Sequence, residues 1–220
     1  LYFALSCSTK GDRTKIMLAG WIVLALLGTW PVDAEPAFFP RQTAESWSLL
    51  LGEDGPLLRR SRLEGAAAWG SFTDAINETG WAILDLHSSE AFDGEKQSYA
   101  VGYLEGWLTA SRIAQHLNNM WGIDFAGFSK GVAPTAVRSF VEQNLHWMRA
   151  EAKAQVKDPA WYLVGCLLEQ LKGLSDGYNA ASQPGKKNLT EIDMLMLTMV
   201  DTDMDSVVSA VFMKGKNVNR

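Results

Sequence analysis

Cysteine is scarce in this chain, since only Cys7 and Cys166 occur among its 220 residues. Cys7 lies ahead of a predicted leader, so the mature chain would keep Cys166 alone. A single thiol cannot close an internal disulfide, which excludes a small scaffold held together by disulfides. Cys166 falls within an apolar helical pattern, and this position predicts a buried, unreactive thiol.

The chain also lacks an excess of basic charge. It carries 20 lysines and arginines against 25 aspartates and glutamates, giving a net charge of −5. The chain has no basic stripe that could neutralise phosphates, and this argues against a nucleic-acid partner. The three histidines, His87, His116 and His146, show no metal-ligand spacing with one another or with Cys166. We therefore expect no metal site, and the absence of a dinucleotide or phosphate-binding motif predicts no cofactor.

No apolar run has the length of about 18 residues or more that a membrane-spanning helix requires. The apolar run at residues 17–27 follows Lys10, Arg13 and Lys15 and precedes small residues at 32–34. This order is typical of a secretory signal peptide. We expect residues 1–34 to be upstream residues plus a signal peptide that begins at Met17 and ends at Ala34. Residues 35–220 then begin the mature protein, with no stable membrane span.

Two glycosylation sequons agree with entry into the secretory pathway. Asn77 is followed by Glu and Thr, and Asn188 by Leu and Thr. The Asn-x-Ser/Thr pattern is the acceptor for N-linked sugar in secreted proteins. Asn77 and Asn188 are the predicted glycosylation sites.

Periodicity predicts an α+β chain in which helices dominate. Residues 81–87 alternate between apolar and polar, which predicts one strand. Gly52 and Pro56 delimit a turn in an otherwise mixed region. Helical spacing predicts helices from Asp93 to about Met120, over 137–148, from the Asp158–Pro159 start signal to Gly173 or Gly177, and after the capping pair Thr190 and Asp193.

The first of these helices carries two glycines, Gly102 and Gly106, four residues apart. Each glycine costs a helix about 1 kcal/mol relative to alanine. Two on one ridge therefore predict that another element packs against bare backbone there. Glu105, Thr109 and Arg112 recur at helical intervals and should form a polar strip beside this ridge.

The segment from Gly102 to Thr109, Gly-Tyr-Leu-Glu-Gly-Trp-Leu-Thr, is similar to the Gly-Tyr-Leu-Glu-Gly-x-Leu-Thr signature of the phospholipase B-like family. Three further segments resemble that family in the same order. They are residues 68–86 with Ala-Trp-Gly-Ser-Phe and Thr-Gly-Trp, residues 158–174 with Asp-Pro-Ala-Trp, and residues 194–205. The resemblance covers roughly residues 66–208.

The family resemblance implies an N-terminal nucleophile hydrolase with a four-layer αββα fold, two sheets inside and helices outside. This chain would supply mainly helices and a few strands of that fold. Such a protein is made as a precursor whose cleavage exposes a cysteine nucleophile. The matching cysteine falls downstream of this region, so the chain is expected to be an N-terminal portion with no catalytic residue of its own. The resemblance implies a secreted or lysosomal enzyme that cleaves acyl esters of lipids or N-acyl amides, and whose partner is the C-terminal remainder of the same precursor.

Two alternatives remain open at the level of sequence. Lys172, Thr198 and the pair at 201–202 depart from the family pattern, which is compatible with a non-catalytic secreted glycoprotein or lipid binder that keeps the fold. Separately, Ser129 lies in a Gly-x-Ser-x-Gly pattern typical of serine hydrolases. Such a serine should be followed by an acid and then by a histidine. The only later histidine is His146, no Asp lies between it and Ser129, and Glu142 lies on the same predicted helix as His146.

Overall fold

The computed structural model describes residues 15–18, 45–121, 134–181, 187–200 and 203–213. These residues form an α+β structure, as predicted, in which helices pack on an antiparallel sheet of order β1-β5-β4-β2-β3. The strands are β1 (Lys15–Leu18), β2 (Trp47–Gly52), β3 (Gly55–Arg60), β4 (Ala68–Ala75) and β5 (Trp81–Ser88). The helices are α1 (Ile76–Thr79), α2 (Gly94–Leu108), α3 (Ala110–Trp121), α4 (Thr135–Ala154), α5 (Pro159–Ala180), α6 (Glu191–Met199) and α7 (Met204–Met213).

The predicted strand at residues 81–87 is confirmed as β5, and the described residues contain four further strands, in agreement with the expectation of a few. Strands β2 and β3 form a hairpin around the predicted turn, in which Gly55 adopts a φ of +112° that favours glycine. Strand β4 was missed because small residues, Ala68 and Gly70, occupy its inward positions. Alternation is visible only where inward positions carry large apolar side chains.

Strand β1 pairs with β5, so that Leu18 lies opposite Ala82. It overlaps the start of the predicted signal peptide at Met17. The remainder of that peptide lies outside the described residues, and the boundary between residues 34 and 35 stays a prediction.

The helix predicted from Asp93 to Met120 is present, but it is divided at Thr109 into α2 and α3. Asp93 caps α2 by accepting a hydrogen bond from the backbone N–H of Lys96 at 2.9 Å. Asp158 caps α5 in the same manner from Ala160. The predicted capping box of Thr190 and Asp193 is also confirmed at the start of α6.

The predicted end of α5 is wrong, because the helix continues through Gly173 and Gly177 to Ala180. These glycines lie inside the helix, where they contact α2 rather than ending a turn. Glycine at a close helix contact and glycine at a helix end look alike in sequence.

Helix α2 lies between the sheet and α5 and is the centre of the core. Leu104 of α2 packs with Leu49 of β2 and Leu84 of β5 in the cluster against the sheet. A second cluster joins α5 to α3 and α6 through Leu174, Tyr178 and Met194, among others. A third joins α4, α6 and α7 through residues that include Val137, Val141, Met196 and Met204.

Across the described ranges, no helix is both long enough and apolar enough to cross a membrane.

Candidate functional site

The glycine ridge of α2 lies directly against α5, as the sequence predicts. A side-chain carbon built on Gly102 would overlap the carbonyl oxygen of Gln170, and one on Gly106 would overlap that of Leu174. Real Cβ atoms do not approach other heavy atoms this closely. Only glycine at these positions lets the two backbones touch.

The contact is reciprocal, because α5 brings its own pair of glycines four residues apart. A Cβ on Gly173 would overlap the backbone of Tyr99, and one on Gly177 the backbone of Tyr103. The contacts advance in the same order along both helices, since Gly102 meets Gln170 and Gly106 meets Leu174. Helices α2 and α5 are therefore parallel. We call this contact of Gly102, Gly106, Gly173 and Gly177 the glycine crossing. The four-residue spacing on α5 is visible in the sequence, where it predicts a helix end and not a close contact.

Glu105 belongs to the predicted polar strip but is buried, with only 5% of its surface exposed. Its carboxylate oxygen Oε2 accepts a hydrogen bond of 3.3 Å from Nε2 of Gln170, which is itself buried. Burial raises the pKa of Glu105 to about 7, and the Gln170 hydrogen bond opposes that rise. A polar strip on a solvated face would not show this burial, so the periodicity located Glu105 but not its environment.

The rest of the strip connects the helices to the sheet. Thr109 is buried and donates to the carbonyl of Glu105 at 2.7 Å. Arg112 forms a two-pronged ion pair with Asp74 of β4, with N–O distances of 2.6 and 2.5 Å. The hydrogen bonds from Arg112 hold the pKa of the Asp74 carboxyl below its usual value. This pair joins the start of α3 to the end of β4.

A second polar group borders the glycine crossing, and the sequence did not reveal it. Asp176 of α5 accepts a hydrogen bond from the Tyr99 hydroxyl at 3.0 Å and lies 2.6 Å from Lys172 Nζ. The ammonium of Lys172 also lies 4.7 Å from the centre of the Tyr99 ring. Burial, followed by the Asp176 hydrogen bond, raises the pKa of Tyr99. Lys172, which departs from the family pattern, therefore has a defined structural partner.

The sheet face opposite α2 carries an aromatic and charged group. The rings of Trp69 and His87 stack at 5.5 Å, and the Arg62 guanidinium lies 4.5 Å from the Trp69 ring centre. His87 Nε2 lies 3.2 Å from Asp85 Oδ1, although the two are not aligned for a hydrogen bond. The alternating pattern of the strand places Asp85 and His87 on one face. It does not predict that β4 lies beside this strand, with Trp69 stacked on His87.

The predicted glycosylation sites are both exposed. Asn77 lies in α1, and Asn188 lies just before α6. Cys166 is half-buried rather than fully buried, and its sulfur lies near Gly94. Ser129 and the pair at 201–202 lie outside the described residues. Within the described part of the chain, no group of three or more histidine, cysteine or carboxylate side chains could hold a metal ion.

The glycine-bearing helix, the Thr-Gly-Trp strand and the Asp-Pro helix all fall within one stretch of family similarity. The family model described as Phospholipase B matches residues 68–219. This chain belongs to the phospholipase B family. The match includes α2 and α5, so the glycine crossing lies inside the family domain.

Individual relatives agree with the family match. A human protein named as a phospholipase B-like 2 is 32% identical over 177 residues, covering 78% of this chain and 29% of its own length. Phospholipase B-like protein B of Dictyostelium discoideum is 30% identical over 142 residues, covering 64% of this chain and 24% of its own length. A phospholipase B of Crotalus adamanteus is 29% identical over 144 residues, covering 64% of this chain and 26% of its own length. The chain thus spans about a quarter of the length of the curated relatives that it matches.

Proposed function

We propose that this chain is the N-terminal portion of a secreted or lysosomal hydrolase that cleaves acyl ester or amide bonds of lipids. The observation that carries this proposal is the family match over residues 68–219. The described residues contribute a scaffold to the proposed enzyme: a sheet, the helix α2 packed on it and the helix α5 joined to α2 through the glycine crossing.

In this proposal the nucleophile is a cysteine at the start of a second fragment of the same precursor. Its thiolate attacks the substrate carbonyl carbon, the bond to the alcohol or amine breaks, and an acyl-thioester remains on the sulfur. The fragment's own α-amino group takes the thiol proton and passes it to the departing alcohol or amine. Water then attacks the thioester carbonyl, the carbon–sulfur bond breaks, and the free acid and the thiol are released. No residue of the present chain is assigned a catalytic role.

The proposed fold is the four-layer αββα arrangement of N-terminal nucleophile hydrolases. Its support is that α2 covers one face of the sheet, while the opposite face carries Ile83 and the half-exposed Trp81. A second sheet from the remainder of the precursor would cover such a face. Secretion or lysosomal delivery is supported by the predicted leader and by the two exposed sequons.

The activity is tested on the full-length processed protein. We expect release of fatty acid from a phospholipid or from an N-acyl amide, and loss of that release when the proposed cysteine is replaced by alanine. The alternative is a non-catalytic lipid binder, for which Lys172 and Thr198 are the motivation. Binding of either lipid without turnover, by protein that has been correctly cleaved, would favour that alternative and contradict the hydrolase.

Glycosylation gives a second expected outcome. When the protein is expressed through the secretory pathway, Asn77→Gln and Asn188→Gln should each remove one sugar chain, because both asparagines are exposed. The readout is gel mobility before and after enzymatic removal of N-linked sugar. Asn119→Gln is the matched control, since Asn119 is exposed but is not in a sequon. Unchanged mobility of both sequon variants would contradict the predicted sites.

A further inference from the structure

Glu105 occupies an unusual place for a carboxyl group. It lies on α2 between Gly102 and Gly106, whose backbones touch α5. The close approach of the two helices leaves its side chain almost no access to water. Its side-chain partner is the neutral amide of Gln170, at 3.3 Å. A charged carboxylate here would be compensated by one long hydrogen bond.

The charged side chains on the neighbouring elements interact with groups other than Glu105. On α5, Lys172 and Asp176 pair with each other, and the charges that act on Glu169 are those of Lys172, Glu95, Arg149 and Glu191. On the sheet, Asp85 and His87 alternate with Leu84 and Leu86, which face α2, and so lie on the opposite face.

The charges nearest along the chain are also engaged. Asp74 of β4 and Arg112 of α3 pair with each other. The nearest titratable side chains on α2 are the tyrosines, of which Tyr99 bonds to Asp176. Among the described residues, no cation acts to stabilise the charged form of Glu105. The pKa of Glu105 is determined by burial and by the hydrogen bond from Gln170.

We propose that the stability of the glycine crossing depends on pH. The contact between α2 and α5 is most stable when Glu105 is protonated and less stable when Glu105 is ionised. A protonated carboxyl is neutral and suits a dry contact between two backbones. An ionised one favours any opening of α2 from α5 that admits water. The inference rests on the packing of α2 and α5 and does not depend on the proposed hydrolytic activity.

The direction of the pH effect follows from the two pKa values of this group. Glu105 has an ordinary value of 4.5 when unfolded and about 7 in the folded protein. Between these values the folded state binds more protons than the unfolded state, so this contribution to stability falls as pH rises. The contribution is complete below about pH 4.5 and is lost once the pH has passed about 7. The contact between α2 and α5 is therefore most stable in an acidic compartment.

The test compares thermal unfolding midpoints of the full-length wild type and Glu105→Gln at pH 5 and pH 8. Gln keeps the shape of the side chain and cannot ionise. We expect the wild-type midpoint to fall more than that of Glu105→Gln between the two pH values, so that the variant unfolds at the higher temperature at pH 8. Glu90→Gln is the matched control, because Glu90 is exposed just before α2 and should follow the wild type. Parallel pH dependence of wild type and Glu105→Gln would overturn the proposal.

A second variant keeps the test decisive if Glu105→Gln does not fold. Gln170→Met removes the hydrogen bond that favours the charged form of Glu105, so the wild-type loss of stability should move to higher pH. Amide hydrogen exchange in α2 and α5, corrected for the intrinsic pH dependence, provides the local readout. Exchange should accelerate above neutral pH in these two helices first. A loss of stability at the same pH in Gln170→Met as in wild type would contradict the role given to Glu105.

Discussion

Gly106→Ala is expected to destabilise the folded protein by about 1–3 kcal/mol, because the added methyl group has no space at the glycine crossing. Its Cβ would overlap the carbonyl oxygen of Leu174 and lie 2.7 Å from the backbone nitrogen of Tyr178. Both obstacles are backbone atoms of α5, which cannot rotate away as a flexible side chain can. On a solvated helix face the same change should stabilise by about 1 kcal/mol, since alanine is the better helix former.

Gly165→Ala is the matched control for this prediction. Gly165 also lies within α5, but a Cβ there would meet Glu95 and Ala152 at 3.6 and 3.7 Å, which are ordinary contact distances. We expect this variant to be stabilised by up to about 1 kcal/mol. Urea unfolding of the full-length protein measures both changes. If Gly106→Ala unfolds at a higher urea concentration than wild type, the packing of α2 on α5 is not the one described.

Leu104→Ala should produce the largest single loss, about 2–5 kcal/mol. Leu104 has 0% exposure and packs with Leu49 and Leu84 where α2 meets the sheet. The substitution removes buried apolar surface and leaves a cavity between layers that cannot close without moving a whole helix.

The control is Leu163→Ala, which removes the same atoms from a side chain of α5 that is 50% exposed. Its effect should stay within about 0.5 kcal/mol, as for ordinary surface positions. The pair is measured by chemical unfolding under one set of conditions. Equal losses at the two positions would show that α2 does not form the centre of the core.

Secondary structure was predictable wherever it produced a strong local pattern. Strand β5 alternates cleanly, and Asp158 and Thr190 are capping residues at real helix starts. Strand β3 was missed because it is an edge strand whose Leu57 is half-exposed. Its stability comes from pairing with β2, which local periodicity does not report.

The glycine crossing was predictable in part. Gly102 and Gly106 predicted a close neighbour because two glycines on one helix ridge need a reason. Identifying α5 as that neighbour requires the three-dimensional pairing with Gly173 and Gly177. The burial of Glu105 and the contacts of Lys172 with Tyr99 and Asp176 also depend on that pairing, which joins segments about 70 residues apart along the chain. The proposed chemistry depends on a cysteine that this sequence does not contain downstream of Cys166.

Intact mass measurement of the processed protein, taken shortly after mixing with an acyl substrate, tests the proposed mechanism most directly. We predict that the second fragment gains the mass of one acyl group on its N-terminal cysteine, and that a cysteine-to-alanine variant gains none and shows no turnover. Turnover accompanied by acylation of Ser129 in the present chain, or turnover that survives the loss of the cysteine, would contradict the account.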